Sequence, residues 1–220
     1  MSNLDKEFLK KVKEPLMHLG FKKESEGTYI YSIDDNFCGW LGLNRSTQYA
    51  DILLFPLVGL SSRLAIKLFH KLRGRRPKRT ILPITMIPLS NLTGEKYDPK
   101  WICSSEDILK EVDNMSSFIK LDAIPYMQKN ATFECIVNLM VKHNQGHPQR
   151  AMYLIPICYH LLKQNQKAIE YAYDKNEKFK NENHLLAENY KIFFSNFLKY
   201  LEDGSLPPIS SDWQNTFPAA

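Results

Sequence analysis

Between residues 52 and 94 the chain has no aspartate and no glutamate. Eight basic side chains fall in that window: Arg63, Lys67, Lys71, Arg73, Arg75, Arg76, Lys78 and Arg79. The 220 residues together carry 29 basic and 24 acidic side chains, a net charge of +5. Outside the window the balance is 21 against 24. The positive charge is thus one local patch on a slightly acidic body, which narrows the class of partner without naming it.

Other features are also scarce. Nine glycines are scattered along the chain. None forms a G-x-G-x-x-G or Walker-type loop, so no nucleotide-binding fingerprint is present. The four cysteines, Cys38, Cys103, Cys135 and Cys158, lie far apart. Without a C-x-x-C pair they read as reduced thiols of a cytosolic protein rather than a zinc or redox motif. The longest uncharged stretch around an apolar run, residues 52–62, is far short of the ~20 residues of a membrane span. The first residues, MSNLDKEFLKKVKE, are too charged for a secretory signal. A cytoplasmic protein with no membrane span is expected.

No catalytic or metal constellation emerges, and no cofactor is expected. His143 and His147 have i, i+4 spacing, but Gly146 and Pro148 make a loop of that segment, and no Glu follows His143 as H-E-x-x-H requires. Cys158 and His160 are two apart on a helix and point away from each other. Asp34 and Asp35 are better explained by a turn than by acid–base work. His18, His70 and His184 are isolated and read as surface or interfacial residues.

The apolar pattern is more informative. Leu4, Phe8, Val12, Leu16 and Leu19 recur at helical spacing up to Gly20, with Pro15 predicting a kink or two pieces. Residues 28–32 and 37–43 flank the polar turn Asp34-Asp35-Asn36 as a hairpin, with Phe37, Leu41 and Leu43 on one face and Cys38, Trp40 and Gly42 on the other. Tyr29 and Tyr31 share a face that would suit an interface. Residues 51–58 supply a third strand, where Pro56 predicts an edge or an early end. Ser61 or Ser62 then caps a helix with Leu64, Ala65, Leu68, Phe69 and Leu72 inward and Arg63, Lys67 and Lys71 outward, stopped by Gly74. Residues 80–89 read as one short strand. A helix from Ser104 or Ser105 has Ile108, Val112, Met115 and Ile119 inward and ends by Pro125.

Beyond residue 130 only helices are predicted, over 133–140, 151–162, 168–179 and 186–201. The middle two have the helix–turn–helix look of one tetratricopeptide-type unit, without the second copy that an array needs. The expected fold class is α+β: an antiparallel or mixed sheet of about four strands with packed helices, followed by an all-helical part. The expected division is 1–129, 130–203 and an irregular tail 204–220 that holds Trp213 and Phe217.

Several short motifs stand in a recognisable order: LGFKK at 19–23, LGLNRS at 41–46, FPLVGL at 55–60, TILPITMIPL at 80–89, Trp101 and AIPYM at 123–127. In them the first 130 residues resemble a bacterial group known as domain of unknown function 4304. RGRRPKR at 73–79 lies outside that likeness. The resemblance implies an α+β fold and a bacterial accessory protein, an immunity protein that neutralises a toxin being one form. It supplies no catalytic residue.

The functional expectation is a non-enzymatic binding protein. Its contact residues would be the eight basic side chains, with Arg73, Arg75, Arg76, Lys78 and Arg79 foremost and Arg63, Lys67 and Lys71 flanking. An acidic protein is favoured as partner, and nucleic acid bound through phosphates is the alternative. A nucleic-acid surface usually adds stacking aromatics, and residues 73–79 contain none.

Overall fold

The computed structural model describes residues 3–48, 51–76, 81–92, 101–103, 106–145 and 147–209. They form two compact units, Met1–Arg63 with Thr80–His147, and Leu64–Arg79 with Pro148–Ala220.

The first unit opens with α1, Asn3–His18, which buries Phe8, Val12 and Leu16 at one residue per turn. Helix α1 runs as one piece through Pro15, rather than as the two pieces that the proline could have made. Pro15 lies in the last turn, so its missing N–H costs a bond only where the helix is already ending. Gly20, at φ +90°, turns the chain into the sheet.

The strands are β1 (Phe21–Ser25), β2 (Thr28–Ser32), β3 (Phe37–Gln48), β4 (Asp51–Ser62), β5 (Thr85–Pro88) and β6 (Trp101–Cys103). All pairings are antiparallel, in the order β1-β2-β3-β4-β5, with β6 also on β4. Strand β1 was not expected, because FKKES buries only Phe21 and shows no alternation. Its lysines suit an outer strand, where charge discourages further pairing.

Strand β4 passes straight through Pro56. The Leu43 N–H donates to Gly27 O at 2.7 Å, toward β2. Leu43 faces Pro56 across β3 and β4, so Pro56 directs its nitrogen away from β3. On that side β6 pairs with residues 52–54 and β5 with 57–60. The proline falls in the gap between them, where no ladder bond is needed. The expectation of an edge or early end fails for this reason.

One sheet face carries Gly39, Leu41, Leu43 and Val58. Gly39 leaves room for Met127, since a Cβ there would lie 2.1 Å from its sulfur. Near the other end Arg45 pairs with Asp5 of α1 and, at 3.0 Å, with Glu26. Tyr29 belongs to this core at 1% exposure and Tyr31 is half-buried against Phe21, so neither forms the exposed pair expected from sequence. On the opposite face Trp40 lies across Gly42.

Helix α3 (Ile108–Phe118) continues through a widened π turn, Ile119–Ala123, into α4 (Ile124–Asn130). Pro125 was expected to end this helix. It stands instead in the first turn of α4, where its missing N–H is tolerated. The expected caps Ser104 and Ser105 lie outside the described residues. Thr132 accepts from the Cys135 N–H at 3.1 Å and starts α5, Phe133–Lys142.

The second unit holds α2 (Arg63–Leu72) from Leu64 onward, with α6 (Pro148–Leu161), α7 (Asn165–Lys178) and α8 (Leu185–Asp203). Tyr153, Tyr190, Phe193 and Phe197 are its fully buried aromatic core. Phe69 of α2 meets Tyr153 at 5.6 Å between ring centroids. The Asn196 side-chain amide donates to Leu72 O at 2.9 Å. Helix α2 therefore belongs with the C-terminal helices, and the division follows His147 rather than residue 129. Residues 204–209 have neither helix nor strand, and Trp213 and Phe217 lie outside the described residues.

Candidate partner-binding surface

Helix α2 is amphipathic because Ala65, Leu68, Phe69 and Leu72 repeat at three- and four-residue steps, and all four are buried. Leu64, expected inward, is 51% exposed. It shares the outward stripe with Lys67 and Lys71, three and seven residues on, and both lysines are exposed. The stripe is thus an apolar residue followed by two cations.

The helix stops in a Schellman motif. Gly74, at φ +63°, donates its N–H to Lys71 O at 2.9 Å, and the Arg75 N–H donates to His70 O at 2.9 Å. This turn separates basic residues that are continuous in sequence. Arg73, the last residue before the glycine, is only 3% exposed. Its guanidinium lies over the rings of Phe69 and Tyr153, 5.2 and 5.3 Å from their centroids. Arg75 is half-buried and Arg76 exposed. Lys78 and Arg79 lie outside the described residues.

Burial lowers the Arg73 guanidinium to about 10, with Arg75 pushing the same way and Tyr153 opposing. Arg73 remains a cation at neutral pH, held by two aromatic faces. Arg75 is lowered by burial and raised by Tyr153. Arg63 is exposed, yet its Nη1 donates to the carbonyl oxygens of Asp34 and Asp35 at 3.1 and 2.8 Å. It braces the β2–β3 turn. Among the described members of the eight basic residues read from sequence, Lys67, Lys71 and Arg76 stand as exposed cations. Arg73 is a core residue, a correction to its expected place at the front of the patch.

His70 is also corrected: it is buried at 4% exposure rather than superficial. The Arg73 cradle was half visible in sequence, since Phe69 lies one turn before it. Tyr153 is far off along the chain and gave no local signal.

The other candidate chemistry is structural. Asp34 Oδ1 accepts from the Asn36 and Phe37 N–H groups at 2.7 and 2.6 Å, the turn role expected of it. Burial raises the Cys38 thiol to about 11 and the Cys158 thiol to about 12, which keeps both protonated and poorly nucleophilic. His160 Nδ1 meets Asn165 Oδ1 at 2.9 Å, and its ring packs against Tyr200. Among the described residues no three His, Cys, Asp or Glu side chains gather where a metal ion could be held. No described helix is long and apolar enough to cross a membrane.

Comparison with protein-family models, with curated proteins and with solved structures finds no match to this chain.

Proposed function

We propose that this chain is a non-enzymatic bacterial binding protein of the cytoplasm, which occludes an acidic protein partner with the outward face of α2. An immunity-type inhibitor that covers a toxin is the most concrete form of this reading, and the resemblance of the first 130 residues supports it. The observation that carries it is the stripe Leu64, Lys67 and Lys71 with Arg76 beyond the turn, exposed within a stretch that has no acid. Long-range attraction would speed encounter, and Leu64 would add apolar contact once docked. Arg73, buried in the core, holds α2 in place and does not meet the partner.

The test is the triple variant Lys67→Glu, Lys71→Glu and Arg76→Glu, with association rates measured against a partner isolated by cross-linking in a bacterial lysate. The rate is expected to fall at least about tenfold at low salt, with a smaller effect at high salt. An unchanged rate removes the stripe from the mechanism. The competing reading is checked with fluorescence anisotropy of labelled random DNA and RNA. Salt-sensitive binding that the triple variant loses would replace the protein partner with nucleic acid.

A further inference from the structure

Helix α8 buries Ala187, Asn189, Tyr190, Phe193 and Phe197 and turns its other face to solvent. On that outer face Leu185 and Ile192 are 54% and 45% exposed. The stripe they begin runs on in steps of three and four through Glu188, Ser195, Lys199 and Glu202, all exposed. This is the a and d spacing of a helix-pairing seam, with Leu185, Ile192 and Lys199 at a and Glu188, Ser195 and Glu202 at d. The seam is about 26 Å long at 1.5 Å per residue, and it lies wholly within the second unit.

We infer that this seam pairs with itself: α8 docks antiparallel on α8 of a second copy of the chain, about a two-fold axis at the level of Phe193 and Phe194. The order of charges along the seam selects this occupant and this register. With the axis there, Glu188 faces the partner's Lys199, and the symmetry makes the same pair a second time. Ile192 faces the partner's Ser195 in the middle. At each end Leu185 meets the aliphatic stem of the partner's Glu202, whose carboxylate reaches water. A slip of one heptad sets Glu188 or Glu202 against Ile192, a charge on an apolar side chain. Parallel pairing sets Glu188 against Glu188 and Lys199 against Lys199, which repel. The unslipped antiparallel pairing alone brings opposite charges together.

The neighbouring charges are engaged within the chain. Lys191 Nζ, beside the seam, donates to the carbonyls of Lys180 and Glu182 at 3.1 and 3.0 Å. Asp203, four residues after Lys199, accepts from the Ser205 N–H through Oδ1 at 2.7 Å. Its attraction for Lys199 is that of an exposed pair one turn apart, which is weak and leaves the ammonium able to reach a second carboxylate. Tyr190, Phe193 and Phe197 fix the helix in the core, so the seam is preformed and loses little freedom on docking. Two apolar side chains and two ion pairs make a contact at the small end of interface sizes. The dimer is therefore weak, and it forms at high concentration. The seam does not include the α2 stripe, and the inference does not rest on the proposed function.

The experiment is sedimentation equilibrium of the full chain at low salt, from the low micromolar range to several hundred micromolar. The wild-type average mass should climb from that of one chain toward twice that value. Glu188→Lys and Lys199→Glu each place like charges at both contacts and should raise the dissociation constant at least about tenfold. An equimolar mixture of these two variants restores opposite charges at both contacts and should associate about as well as the wild type. Ile192→Asp should keep the chain monomeric. All three positions are exposed, so circular dichroism should show the same helix content in every variant. A wild-type mass that stays at one chain throughout overturns the inference. A dimer that both charge variants leave unchanged also overturns it, since it would use another face or a parallel pairing. Failure of the mixture to recover association would rule out this register.

Discussion

Tyr153 is completely buried, and its ring is one wall of the Arg73 cradle. Its hydroxyl has no hydrogen-bond partner among the described residues. The ring serves the fold through its face and the hydroxyl contributes only desolvation, which burial expresses by raising its ionisation above the usual tyrosine range. Tyr153→Phe keeps both aromatic walls around the guanidinium. Urea unfolding of that variant should show stability unchanged or raised by up to about 1 kcal/mol. A loss of that size would instead give the hydroxyl a bonding role. Arg73 itself shows how a side-chain type misleads at this scale. A surface arginine and a core arginine have the same letter, and the difference is made by one ring from its own helix and one from α6.

Elements in the first unit are spaced by glycines whose missing side chains are filled by neighbours. A Cβ at Gly59 would lie 2.2 Å from the main-chain oxygen of Thr85 in β5, whereas one at Gly39 would meet the side chain of Met127. Backbone cannot step aside without breaking the ladder, but a methionine can take another rotamer. Gly59→Ala should therefore cost about 3 kcal/mol and Gly39→Ala about 1 kcal/mol, at the two ends of the overpacking range. Urea midpoints compare them directly, and the reverse order would show that β5 yields more readily than α4. Most elements were legible from periodicity alone: α1, β2, α2 and the four C-terminal helices have strong apolar repeats. Strand β1 was not, because its order depends on pairing with β2 rather than on its own side chains. Pro56 was misleading for a related reason. Whether a proline is tolerated depends on which side its nitrogen faces, and that is a property of the sheet.

For the molecule as a whole, the buried thiols set an alkaline limit. Cys38 and Cys158 are fully buried and their ionisation is raised to about 11 and about 12 by burial. An unfolded chain releases thiol protons from about pH 8.5, so above that pH the unfolded state binds fewer protons than the native state. Stability is then complete below about pH 8.5 and falls as pH rises toward the native values, by about 1.4 kcal/mol per pH unit for each such thiol. Urea unfolding at pH 8 and pH 10 should show this decline, and the Cys38→Ser, Cys158→Ala double variant should show a shallower one. A level profile in the wild type would mean that the native thiols reach solvent.

The amino-acid order by itself determined the α+β class, the helical C-terminal part, the turn at Asp34 and the acid-free basic stretch. Each of these rests on neighbours within a few residues, which share a face or a turn wherever the chain goes. Only the tertiary structure decided that α2 joins helices more than seventy residues away and that β4 accommodates a proline. It also decided that Arg73 points inward while Lys67, Lys71 and Arg76 stay outside. Burial is a relation between distant segments: Phe69, Tyr153 and Arg73 become one cluster only when α2 and α6 pack, and no local spacing encodes that meeting.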